Sequence, residues 1–323
     1  LEKKIALAAV LGPTASGKTA LGIALARRYG GEIVSCDSMQ IYRGLSIGTA
    51  KPSSDELNAA PHHLIGFCDV DRAFSVSEYV TMAEQTIHEI CAAGKHPILV
   101  GGTGLYARSL LRGVSFDERG RDEILRSSLT EEAALNGIEP LYERLSGLDP
   151  QAARKIHPHN EKRVIRALEF CLATGERFSE QEERSRRVPP RYRSLVLCLS
   201  FRDRQKLYDR INCRVEAMMS AGLEEEAKAF YQVVRESRRP LTAAQAIGYK
   251  ELFPFFDGIL SLEEAVENIK RETRRYAKRQ LTWFNREQDA IFLYVDDWKD
   301  EQELLQEAFR IWEQSGLFSE KGE

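Results

Sequence analysis

Residues 5–19 read Ile5-Ala6-Leu7-Ala8-Ala9-Val10-Leu11-Gly12-Pro13-Thr14-Ala15-Ser16-Gly17-Lys18-Thr19. A short apolar run, the right length for a buried strand, stops at G-x-x-x-x-G-K-[ST]. Leu21, Ile23, Ala24, Leu25 and Ala26 then crowd along a helix up to Gly30-Gly31. Strand, glycine loop, helix is the setting in which this motif binds phosphate. Glycines let the chain close so that main-chain N–H groups point inward, and the helix N-terminus adds partial positive charge. Gly12, Pro13, Thr14, Ala15, Ser16 and Gly17 form the cradle, Lys18 supplies a compact cation, and the Thr19 hydroxyl suits Mg²⁺. The motif implies a diphosphate or polyphosphate site, but neither hydrolysis nor phosphoryl transfer follows from it.

Two further strands lead outward from this loop. Glu32-Ile33-Val34-Ser35-Cys36 ends at Asp37-Ser38-Met39-Gln40-Ile41-Tyr42, and His96-Pro97-Ile98-Leu99-Val100 ends at Gly101-Gly102-Thr103-Gly104. In a parallel α/β sheet, ligands bind beyond the carboxyl ends of the strands, which puts Asp37 near the loop, and the small-residue turn after the third run suits a close backbone approach to a ligand. Asp37 can also be read as a helix cap. The third strand lacks the terminal carboxylate that nucleotide hydrolases use to hold Mg²⁺, which weakens an ATPase reading.

From about residue 119 to 193, strand-like runs vanish and apolar residues recur at helical spacing, as in Ile124, Leu125 and Leu129 or Val164, Ile165 and Leu168. The expected architecture is a P-loop NTPase-like parallel sheet flanked by helices, residues 1–118 and 194–323. An all-helical insertion, 119–193, ends in the basic linker Arg186-Arg187-Val188-Pro189-Pro190-Arg191. His157-Pro158-His159 is too short and isolated to indicate a metal. Sheet character returns at Ser194–Leu199. Arg210 and Arg214 follow, four residues apart on one helix face, as an anion clamp would require.

Total charge points nowhere: 46 Lys+Arg against 49 Asp+Glu gives a formal −3 over 323 residues. Locally, 270–286 carries seven Lys/Arg and one Glu, with Tyr276, Trp283 and Phe284 interleaved. One-sign charge with aromatics fits a nucleic-acid backbone and stacked bases. The 6 cysteines form no C-x-x-C pair, so isolated thiols in a reducing compartment are expected. The start of the chain superficially copies a signal peptide, but its apolar run is needed as the strand before the loop. No stretch approaches the roughly 20 apolar residues of a membrane span. A cytoplasmic protein is expected, acting as a monomer without an obligate protein partner or a membrane. On these residues alone, a small-molecule kinase and a non-catalytic RNA-binding protein stay open.

The ordered set Gly12–Thr19, Asp37–Tyr42, Ile47-Gly48-Thr49-Ala50-Lys51-Pro52, Pro61-His62-His63-Leu64, Val100–Tyr106 and Lys278-Arg279-Gln280-Leu281-Thr282-Trp283 resembles the bacterial tRNA dimethylallyltransferases, the IPP transferase family. The resemblance spans about Ile5 to Phe284. It implies transfer of a dimethylallyl group from dimethylallyl diphosphate to N6 of the adenosine 3′ to the tRNA anticodon, with Mg²⁺ as cofactor. Asp37 would then be the general base, Thr103 would lie near the reacting atoms, and Arg214 with Arg210 would contact the diphosphate. RNA contacts would come from Asp37, Ser38, Met39, Gln40, Thr103 and Arg126. Further contacts would come from the helix start Lys162, Arg163, Val164, Ile165 and Arg166, and from the stretch Gln245, Ala246, Ile247, Gly248, Tyr249 and Lys250. Arg274, Arg275, Lys278 and Arg279 would follow the phosphate backbone. A relative that prenylates free adenine nucleotides would have no use for the insertion or the basic segment.

Overall fold

The computed structural model describes residues 4–113, 120–186, 188–287 and 289–318. The apolar run becomes strand β1 (Ile5–Leu11) and the helix after the loop becomes α1 (Lys18–Tyr29). Strand β2 (Gly31–Cys36), helix α2 (Ser54–Ala59), the two-residue strand β3 (His62–His63), helix α3 (Val76–Ala92), strand β4 (His96–Gly101) and helix α4 (Gly104–Leu111) follow. Ser53 and Ser75 start α2 and α3 with reciprocal capping boxes to Glu56 and Glu78.

The expected parallel sheet flanked by helices forms. Its six strands run in the order β3-β2-β4-β1-β5-β6, all parallel, with β5 at Tyr192–Ser200 and β6 at Ala290–Tyr294. From β1 the chain moves to β2 and leaves a gap that β4 fills. It later adds β5 on the opposite side of β1. The winding therefore reverses between β4 and β1, and a crevice opens beyond their carboxyl ends, where Gly12–Gly17 and Gly101–Thr103 lie.

Both faces of the sheet are covered. Ala8, Val10, Ile98, Val100, Leu195 and Leu197 pack against α1 and the closing helix α14 (Glu301–Ser315), through Leu21, Leu25, Leu304 and Trp312. Full burial of each Leu or Ile contributes about 1.5–3 kcal/mol. On the other face Tyr79 of α3 is fully buried, stacks on Tyr106 of α4 at 4.1 Å and donates to Ser35 O at 3.0 Å.

The chain divides into two compact units, residues 1–111 with 191–323, and residues 112–190. The boundary expected at 118/119 and linker residue Arg187 fall outside the described residues. The second unit consists of α5 (Glu123–Asn136), α6 (Glu139–Leu148), α7 (Pro150–Lys155), α8 (Glu161–Thr174) and α9 (Phe178–Arg186). Its core joins Leu129, Leu141, Leu145, Ile156, Val164 and Leu168. The first unit continues after β5 with α10 (Arg204–Ser220), α11 (Leu223–Glu236), α12 (Phe253–Phe256) and the long α13 (Leu262–Phe284). No described helix is long and apolar enough to cross a membrane.

Candidate active site

The phosphate loop has the backbone its sequence requires. Gly17 sits at φ 91° and opens α1 with no side-chain cap, and no acidic residue occupies the first turn, so its amides stay open to an anion. Gly12 is needed for closeness: a Cβ there would lie 2.9 Å from Leu199 O. The loop also holds Ala15 at φ 61°. The Ser16 hydroxyl is buried with no hydrogen-bond partner among the described residues. Lys18 Nζ donates to Pro13 O at 3.1 Å. Burial, reinforced by the Arg214 charge and opposed by Asp37 and Cys36, pulls the Lys18 ammonium down to about 8. An incoming anion would relieve that penalty.

Arg210 and Arg214 project from α10 toward the loop. Arg210 Nε donates to Ala15 O at 2.9 Å and so braces the loop from outside. Arg214 makes no hydrogen bond or ion pair to the protein among the described residues, although it is partly buried. Burial holds its guanidinium below the usual range, with the charge of Asp37 acting in the opposite direction.

A cavity of about 270 Å³ opens beside the loop, lined on its chemical side by Lys18, Thr19, Asp37, Ser38, Arg214 and Tyr276. A second, of about 580 Å³, approaches from the other side along Ala15, Gly17, Arg210 and Cys213. Lys18, Thr19, Ala50 and Arg214 border both. Asp37 Oδ1 accepts from the amides of Met39 at 2.9 Å and Gln40 at 3.3 Å, whereas Oδ2 has no protein hydrogen bond among the described residues. The cap reading fails, because a turn and not a helix follows Asp37; Oδ1 instead fixes the carboxylate within that turn. Thr103 Oγ1 accepts from Ser38 N at 3.0 Å and locks the β4–α4 turn to the segment after Asp37.

The basic segment departs from expectation. Its aromatics face inward. Phe284 is buried, a Cβ on Gly104 would strike the Trp283 ring at 2.4 Å, and Arg108 covers that ring at 4.3 Å. Tyr276 lines the cavity. Phe284 is thus closed to base stacking by its packing, and Trp283 is partly covered. Of the cations, Lys270 pairs with Glu216 and Glu267, Arg275 with Glu272, and Arg274 donates to Asn212 at 2.6 Å. Lys278 and Arg279 are exposed and make no ion pair among the described residues, and Arg279 also borders the cavity.

Gln280 escaped the sequence reading as an individual residue. It is buried, its Oε1 accepts from Thr14 N at 2.9 Å and its Nε2 donates to Gly102 O at 2.9 Å. One amide thus straps the phosphate loop to the β4–α4 turn. A signal existed: Gln280 falls in helical register with buried Ile269, Ala277 and Phe284.

The other expected RNA contacts divide. Ser38, Met39, Gln40, Gln245, Ala246, Ile247, Gly248 and Lys250 line the cavity of about 270 Å³ that also holds Asp37. Tyr249 does not: it is fully buried and gives its phenol to Glu226 Oε1 at 2.5 Å. In the second unit Lys162 and Arg163 are exposed, but the Val164 and Ile165 side chains are core. Arg126 and Arg166 are occupied too, gripping fully buried Glu169 at 2.9 and 3.0 Å. Packing engages the first two of these four, and a buried carboxylate the arginines, which stay partly exposed.

Fold and cavities define a phosphate-loop α/β protein whose anion cradle opens onto an oriented carboxylate. The IPP transferase family profile matches residues 40–287. A tRNA dimethylallyltransferase of Geobacillus kaustophilus is 48% identical over 292 residues, 90% of this chain and 91% of the relative. The crystal structure of a tRNA isopentenylpyrophosphate transferase from Bacillus halodurans is 40% identical with a TM-score of 0.71, covering 98% and 99% of the two chains. That of a eukaryotic dimethylallyltransferase acting on tRNA is 28% identical with a TM-score of 0.84, covering 97% and 79%. The chain belongs to the IPP transferase family and is a prenyltransferase.

Proposed function

We propose that this protein, acting as a monomer, transfers the dimethylallyl group of dimethylallyl diphosphate to N6 of the adenosine 3′-adjacent to the anticodon of tRNA, releasing diphosphate. The observation that supports the reading is one cavity lined by Lys18, Arg214 and Asp37, in which Arg214 and Asp37 Oδ2 make no hydrogen bond to the protein among the described residues. Two cations and a set of open amides suit a departing diphosphate. A carboxylate opposite them suits a nucleophile that must lose a proton.

As the allylic C–O bond breaks, its electron pair stays on the diphosphate. Lys18, Arg214 and the amides at the start of α1 stabilise that charge. The exocyclic amine, weak because its lone pair is delocalised, bonds to the allylic carbon, and Asp37 Oδ2 takes its proton. Asp37 Oδ1, fixed by two amides, keeps the carboxylate from swinging away. Thr103 holds the Asp37 segment against the β4–α4 turn. Extruding the adenosine from its stack costs a few kcal/mol, which contacts along Gln245–Gly248 would offset. The helical unit, through Lys162 and Arg163, is proposed to grip the anticodon stem-loop.

The site fits Mg²⁺. The Thr19 hydroxyl borders both cavities without a protein hydrogen bond among the described residues. No group of three His, Cys, Asp or Glu occurs among the described residues to enclose a metal, so diphosphate and water oxygens would complete the shell. When bound, the ion would neutralise part of the leaving-group charge.

Radiolabelled dimethylallyl diphosphate incubated with unmodified tRNA, and separately with AMP, both without ATP, tests the proposal. Label appearing in tRNA supports it. Label remaining in the diphosphate, or passing to AMP in preference, overturns it.

A further inference from the structure

Glu226 of α11 does not line either cavity, yet it is bonded to both strips of chain that wall the one holding Asp37. Its carboxylate accepts from three consecutive amides: Ser46 at 2.9 Å, Ile47 at 2.9 Å and Gly48 at 3.2 Å. Its Oε1 also accepts the Tyr249 phenol at 2.5 Å. Gly48, Thr49 and Ala50 form one part of the wall, and Gln245–Gly248, just before Tyr249, form another. The two meet tightly: a Cβ on Gly48 would lie 2.5 Å from the Tyr249 ring. Gln40 Nε2 then ties the far end of the first strip, donating to Thr49 O at 3.2 Å and Ala50 O at 2.9 Å.

Successive amides pointing to one spot form an anion-binding concavity. Here the anion is supplied internally. Ionised, Glu226 is acceptor-only and can satisfy four donors at once; a carboxamide in its place would turn an N–H₂ toward backbone N–H groups.

We infer that Glu226, through Tyr249, is a positioning residue: it latches the segment 46–50 to the segment 245–250 and thereby sets the shape of the wall that receives the acceptor nucleoside. The inference rests on the acceptor reading of that cavity given above. The donor side depends on it less, because the phosphate loop, Lys18 and Arg210 make no bond to the latch.

The experiment compares wild type, Glu226→Gln, Tyr249→Phe and the exposed neighbour Glu225→Gln. It uses anticodon stem-loop RNA and dimethylallyl diphosphate for kinetics, amide hydrogen exchange for the wall and thermal melting for the fold. Glu226→Gln should raise KM for RNA about tenfold or more, change kcat less than KM, and leave KM for the diphosphate within about twofold. Tyr249→Phe should raise the RNA KM about threefold, and Glu225→Gln should match wild type. Exchange at the amides of 46–48 should quicken at least tenfold in Glu226→Gln while that of β1 and β4 stays as in wild type. A lowered melting temperature with reduced kcat and unaltered KM values would reduce Glu226 to fold maintenance and overturn the inference. Unaltered exchange at 46–48 overturns the latch whether or not the wild type prenylates RNA. If the wild type transfers no prenyl group to RNA, the acceptor reading fails, and exchange alone then judges the latch.

Discussion

Arg214 in the core unit and Arg126 with Arg166 in the helical unit are the same side chain in opposite situations. The helical pair is spent: two guanidinium groups and the Asp122 amide converge on Glu169, whose side chain is 0% exposed. Arg214 is partly buried yet makes no hydrogen bond or ion pair to the protein among the described residues. A buried ion pair is strongly destabilising to break, because each partner strands the other. An uncompensated cation does the reverse: it costs the fold something until an anion arrives. Sequence alone nominates all three as binders, and only the partners each one finds separate a residue of the architecture from a residue of the chemistry.

The sharpest test of that division is on the reactive side. Asp37→Ala should lower turnover by about 10²–10⁴-fold with RNA affinity nearly unchanged, measured by single-turnover kinetics and filter binding. Arg214→Met should lower kcat/KM for the diphosphate by about 10²–10³-fold while the melting temperature holds or rises. A large loss of stability there would collapse the distinction. Its mirror image is Glu169→Ala, which should destabilise by about 3–5 kcal/mol in denaturant titration. A stable Glu169→Ala would mean that the helical arginines are not spent after all.

Smaller effects refine the picture. Because the Lys18 ammonium sits at about 8, free enzyme loses that charge as pH rises through 8, whereas bound diphosphate favours the protonated form. Affinity for dimethylallyl diphosphate should therefore fall above pH 8 by up to about tenfold per unit, and Lys18→Arg should flatten the decline. Flat wild-type affinity between pH 7 and 9 would contradict it. Replacing the unpaired Lys278 and Arg279 by Ala should reduce the salt slope of RNA binding by about one for each phosphate no longer neutralised. The same exchange at Lys270 and Arg275, already paired with glutamates, should barely alter it.

Strands β1, β2, β4 and β5 and the phosphate loop were legible because unbroken apolar runs and glycine spacing are local properties. Strand β3 was not, since two histidines carry no periodicity and pair only because Ile33 and Val34 offer an edge. The places of Asp37 and Arg214 beside the phosphate loop were legible, because both follow strands whose carboxyl ends meet there. Tyr249 was misread because a tyrosine among polar neighbours resembles a surface contact until Glu226, more than twenty residues earlier, is seen to take its phenol. The aromatics of α13 misled in the same way: interleaved charges concealed a stripe that packs inward. What sequence hides here is partnership over long separations, since the chain alone does not reveal which polar groups are already satisfied.

Gln280 carries a consequence for how the enzyme is born. Its bond to Thr14 spans 266 residues, so the cradle at the beginning of the chain lacks its strap until nearly all of α13 has left the ribosome. A nascent polypeptide can fold the motif early, but it cannot finish it. Every incomplete translation product that stops short of this glutamine lacks the tie between Thr14 and Gly102.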